Sequence, residues 1–190
     1  MNSAFGRVIT GQIILVICCI FYLIWWSISY RPGVTVNRES GLNGILLLIT
    51  AVSGLSGVAL SVIGANGLPD VIEPKLNGAW IVAGGIAAYF ILMAATYSAF
   101  HRPVTTELIL ITGWAVLELT VISALNAAQR MSDTGFWSMI AVIASAFAIS
   151  MVLYVLYYRM EPMKAFYAAM VPLITEGVSM LVSLIMLMVG

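Results

Sequence analysis

Long apolar runs separated by short polar segments set the pattern of this chain. Six windows are apolar over about 20 residues, the length needed to cross the hydrocarbon core of a bilayer: 8–29, 42–63, 79–99, 106–128, 136–158 and 165–189. Each predicts a helix, because a segment in lipid must satisfy its backbone N–H and C=O groups internally. The connections read YRPGVTVNRESG, GANGLPDVIEPKLNG, FHRPVT, QRMSDTG and RMEPM. They hold nearly all the charge and the Pro, Gly and Asn turn residues. Their shortness predicts antiparallel neighbours. The expected fold is an all-α integral membrane protein: a six-transmembrane-helix bundle forming one transmembrane domain over 1–190, with no soluble domain. The first run, Val8 to Ser29, exceeds a signal-peptide core of about 7–15 residues and is followed by no small-residue cleavage pattern. It is expected to be retained as a spanning helix.

Composition agrees with the pattern. Of 190 residues, 62% are hydrophobic and 8% charged, against about 25% charged in a soluble domain. Lipid is therefore the expected solvent. The net charge of zero gives no electrostatic basis for binding nucleic acid. Cys18 and Cys19 are adjacent within an apolar run, where thiols are inert. With His101 the single histidine, no metal site and no cofactor are expected. Short-loop Lys and Arg residues set orientation. Arg31, Arg38, Arg102, Arg159 and Lys164 lie in the odd connections; Arg7, Lys75 and Arg130 lie on the other side. This bias predicts odd connections inside and both termini outside, in a cell membrane of prokaryotic cytoplasmic type. Trp25, Trp26, Tyr30, Tyr97, Tyr157 and Tyr158 read as one interfacial aromatic belt, and Trp80 and Trp137 as the other.

Three inner turns resemble one another: Tyr30-Arg31-Pro32, His101-Arg102-Pro103 and Tyr158-Arg159-Met160-Glu161-Pro162. With LSVIGAN (60–66) and LTVISALN (119–126) closing helices 2 and 4, they suggest three tandem helical hairpins. Small residues on helix 2 (Ser53, Gly54, Gly57, Ser61), helix 3 (Gly84, Gly85, Ala87, Ala88) and helix 5 (Ala141, Ala144, Ala146, Ala148) predict close helix contacts. Within the chain or between chains, these faces could support a homo- or hetero-oligomer.

The residues with chemical potential are few. Glu118 and Glu176 fall near the middle of helices 4 and 6, where a charge costs about 2.5–3.5 kcal/mol on insertion scales. Counted from the inner turns, they should reach a similar depth and could face each other. Glu107, Trp114, Glu118 and Gln129 share one face of helix 4 within about 40° at 100° per residue. On helix 6, Ser179 and Ser183 share the face of Glu176, and Pro172 frees the carbonyl of Ala168. No Lys or Arg lies within a span, so the glutamates have no fixed cationic partner. They either serve as neutral acids tying helices together or bind a proton, cation or substrate. Asn66 and Asn126 read as C-terminal caps.

No HExxH, nucleotide loop or Ser/His pairing is present, so no enzymatic activity is expected. The first functional reading is a small transporter or channel-like carrier for a small cationic or amphiphilic solute. Its substrate- or ion-binding set would be Glu118, Glu176, Trp114, Glu107, Gln129, Ser179 and Ser183, with membrane lipids as surroundings. A non-catalytic scaffold or solute-binding subunit of a larger complex is the alternative, and a lipid-modifying enzyme ranks third. An enclosed cavity reaching both acids would favour transport; a sealed core with both acids hydrogen-bonded would favour a scaffold.

Overall fold

A computed structural model describes residues 3–33, 41–101, 106–157 and 159–189. Among these the chain is all-helical: α1 (Ser3–Ser29), α2 (Gly41–Asn66), α3 (Gly78–Phe100), α4 (Thr106–Ala127), α5 (Asp133–Tyr157) and α6 (Pro162–Val189). All six are long and apolar enough to cross a membrane. Arg38, Arg102, Pro103 and Tyr158, counted above in the inner turns, lie outside the described residues. Several helices run past the apolar windows. α1 begins at Ser3, and α5 and α6 begin at Asp133 and Pro162. An acid in the first turn meets the free N–H groups there, and proline suits the first helical position. The apolar window marks what lipid accepts; the helix itself extends into the polar ends.

Consecutive helices pack as pairs, α1 with α2, α3 with α4 and α5 with α6, and further contacts join α1 to α6, α2 to α4 and α4 to α5. α1, α2, α4, α5 and α6 thus close on one another, while α3 lies outside against α4. Burial divides the helices the same way: 61% of the α4 span is buried, against 6% for α3. The three hairpins are therefore not placed equivalently. Leu55, Ile91, Trp80 and Met188 point outward, each at least 67% exposed. So large an apolar exterior suits lipid rather than water.

The tightest seam joins α1 and α2. A Cβ on Gly11 would stand 2.7 Å from the backbone nitrogen of Ser61 and 2.9 Å from the Gly57 carbonyl. One on Gly64 would stand 2.7 Å from the Val8 nitrogen. Backbone cannot yield as a side chain can, so glycine is required at both places. The small face of α2 is thereby used within the chain. Gly84 of α3, by contrast, faces open space.

At the opposite end from the α1–α2 turn, the α2–α3 connection folds over the C-terminus of α4. The Ala127 carbonyl accepts from the N–H groups of Val71 and Ile72, at 2.9 and 3.0 Å. Lys75 pairs with Asp133, and Ser123 donates to the Leu76 carbonyl at 2.8 Å. Asn126 is buried, and its amide donates to the Met131 carbonyl and to Asp133, both at 3.1 Å. It ties the α4–α5 turn together rather than simply capping a helix. Asn66 is exposed.

Candidate functional site

The two acids near the middle of the long apolar helices α4 and α6 occupy different surroundings. Glu118 on α4 is fully buried and accepts a hydrogen bond from the side-chain amide of Gln12 on α1 at 2.8 Å. Its second oxygen and the Gln12 carbonyl oxygen have no protein partner among the described residues. Trp114, one turn away on α4, is also buried, and its indole N–H has no partner among the described residues. The same holds for the buried hydroxyls of Ser61 on α2 and Ser183 on α6. Each of these residues is at most 8% exposed.

Glu176 on α6 opens instead onto a cavity of about 260 Å³ between α1, α4, α5 and α6. Glu107 lies in the same wall, and Tyr22, Trp26, Tyr154 and Tyr157 supply aromatic surface. Glu176 is only 5% exposed, and its Oε1 has no protein partner among the described residues. Pro172 and Ala168 also line the cavity. Proline brings no N–H, so the Ala168 carbonyl lacks its usual helical donor. Trp26 is held in place by its indole N–H donating to the Phe166 carbonyl at 3.4 Å and by stacking on Tyr30 at 4.4 Å between ring centroids.

The acids are staggered rather than level. Gln12 carries Glu118, while Cys19 of α1 abuts Gly177, the neighbour of Glu176, at 3.5 Å from its would-be Cβ. Gln12 and Cys19 are two turns apart on α1, a rise of about 10 Å. Counting from the turns assumed that helices begin at one level; the contacts with α1 place them otherwise. The polar face of α4 divides accordingly. Glu107 joins Glu176 at the cavity, and Trp114 and Glu118 enter the buried interior.

Gln129 lies beyond the end of α4. Its φ of 53° is left-handed. Its N–H bonds to the Asn126 carbonyl at 2.9 Å, and the N–H of Arg130 bonds to the Leu125 carbonyl at 2.8 Å. That pair of bonds is a Schellman closure, so Gln129 ends the helix, with its side chain exposed. Ser179 turns its hydroxyl to the backbone carbonyl of Glu176 at 2.7 Å, and Ser183 lies in the buried interior. Comparison with family models, curated proteins and solved structures returns no match.

Gln12, Tyr22, Trp26, Tyr154 and Tyr157 were not among the sequence candidates. Trp26 and Tyr157 had been placed in an interfacial belt. Trp26 is instead 8% exposed and faces the interior, whereas Trp80 and Trp137 are exposed as a belt requires. The adjacent Trp25-Trp26 pair held the one available clue, because neighbours on a helix point about 100° apart and cannot both face outward equally. No group of three or more His, Cys, Asp and Glu side chains among the described residues is placed to hold a metal ion.

Proposed function

We propose that this chain is a multi-pass membrane carrier for a small solute and that Glu176, at the wall of the α1/α4/α5/α6 cavity, is its principal binding group. The observation carrying this reading is a nearly buried carboxylate, one oxygen of which has no partner among the described residues, lining a partly open cavity. Intramembrane acids are retained at an energetic cost and commonly mark solute or ion pathways. Glu107 belongs to the same site. By the Lys/Arg bias the cavity lies toward the inner side, with both termini outside. Glu118 has a different role: bonded to Gln12, it ties α4 to α1. That buried pair, and a cavity that reaches one of the two acids rather than both, favour a non-transporting scaffold; the carrier reading confines Glu118 to architecture.

The test is uptake by proteoliposomes of purified protein, using a panel of radiolabelled small cations, neutral solutes and anions. Saturable uptake of at least one class, lost in Glu176→Gln and retained in Glu118→Gln, is the expected result. No protein-dependent uptake of any class would leave the scaffold reading in its place.

A further inference from the structure

We infer that the Glu176 cavity takes a compact, weakly hydrated organic cation, of the quaternary ammonium kind, in preference to a metal ion or a neutral solute; the inference rests on the carrier reading for the location of the site.

Four observations lead there. The first is charge. Two carboxylates, Glu107 and Glu176, line the cavity, and among the described residues none that lines it is Lys, Arg or His. An anion would meet like charge with no cationic side chain among the described lining residues to offset it. The second is the wall. Tyr22, Trp26, Tyr154 and Tyr157 surround the acids, and aromatic faces attract cations most strongly where water is excluded. The indole N–H of Trp26 is already engaged by the Phe166 carbonyl and one face of its ring by Tyr30, which leaves the other ring face, and no donor, for a ligand.

The third observation is the dispersal of the oxygen ligands. A calcium ion needs 6–8 oxygens, and magnesium an octahedral set, converging on one point. Here the side-chain oxygens come from two carboxylates and three phenols on four different helices, beside apolar Leu110, Ile111 and Leu173. No group of three or more His, Cys, Asp and Glu side chains among the described residues is placed to hold a metal ion. A quaternary ammonium has no N–H to satisfy and sheds water readily, so it needs only opposite charge and polarizable surface. The fourth is size. A volume of about 260 Å³ exceeds the roughly 150 Å³ of an apolar cavity that binds benzene, so it has room for a compact organic cation.

The experiment is a binding titration of the purified full-length protein in detergent, followed by calorimetry and tryptophan fluorescence. The probes are tetraethylammonium, choline, 3,3-dimethyl-1-butanol (the neutral carbon counterpart of choline) and potassium chloride. Saturable binding of both cations is expected. The neutral alcohol should bind at least tenfold more weakly than choline, and potassium at equal concentration should not displace either cation. Glu176→Gln should weaken cation binding at least tenfold, and Trp26→Leu should weaken it less. Should Glu176→Gln fail to fold, the ligand comparison on the unaltered protein decides by itself. Equal affinity for the neutral alcohol, displacement by potassium, or no binding of either cation would overturn the inference. Uptake separates this from the carrier reading. Cations bound but never carried would end the carrier reading and keep the cation site. Glu176-dependent uptake of a neutral solute without cation binding would do the reverse.

Discussion

A carboxyl group sealed between helices needs a donor, and for Glu118 that donor is Gln12. The pair joins residues 106 positions apart, so its worth is interhelical. Interhelical hydrogen bonds in lipid contribute about 0.6–2 kcal/mol. Gln12→Leu should lower stability by that amount, and the Gln12→Leu/Glu118→Leu double variant should cost less than the sum of the singles. Steric-trap unfolding in bicelles measures the cycle; strict additivity would show that the two side chains are uncoupled. The acids themselves were legible in the sequence, because an ionisable group inside an apolar run is costly and must have either a structural partner or a ligand. Gln12 was not. Its amide is as polar as a carboxylic acid against the surrounding apolar run, but it carries no charge to single it out, and no local pattern points to a partner three helices later. Their shared depth was misjudged for a related reason: residue counting fixes position along one helix, not the level at which neighbours meet.

Helix ends and seams carry the next set of constraints. Gly11 and Gly64 admit no Cβ because backbone faces them, whereas Gly84 has open space. Gly11→Ala should destabilise by about 1–3 kcal/mol, the usual cost of overpacking, while Gly84→Ala should stay within about 0.5 kcal/mol, as substitutions away from packed features do. Thermal unfolding of the two variants side by side checks the contrast; equal shifts would contradict the α1–α2 seam. Gln129 pays a steric cost for its left-handed φ, so Gln129→Gly should raise stability by roughly 1 kcal/mol, read as an upward shift in Tm. An unchanged or lower Tm would contradict the Schellman closure. The six helices were readable from apolar periods alone, to within a few residues at most ends. Gln129 was misassigned to the polar face because the helix was extended on paper beyond Ala127, and only the turn geometry reveals that the face ends there.

For the whole molecule, the arrangement is five mutually packed helices with α3 attached outside α4, and an interior divided into two parts. One part is buried and joined by Gln12 and Glu118; the other opens beside Glu107 and Glu176 under an aromatic wall. Hairpin pairing followed from loop length, but the outlying place of α3 did not: its small-residue face predicted close contact, and it meets Val116 of α4 at Gly85, yet an apolar surface reads the same whether lipid or protein covers the rest of the helix. The central claim is that Glu176, and not Glu118, is the accessible acid. It is tested most directly by treating membranes containing the protein with diisopropylcarbodiimide, a small hydrophobic reagent that adds to carboxylic acids in apolar surroundings, and mapping the adducts by mass spectrometry. The account predicts modification of Glu176, with Glu118 unmodified under the same conditions and becoming reactive only when the bundle is unfolded. Modification of Glu118 in the folded protein as fast as Glu176 would contradict it.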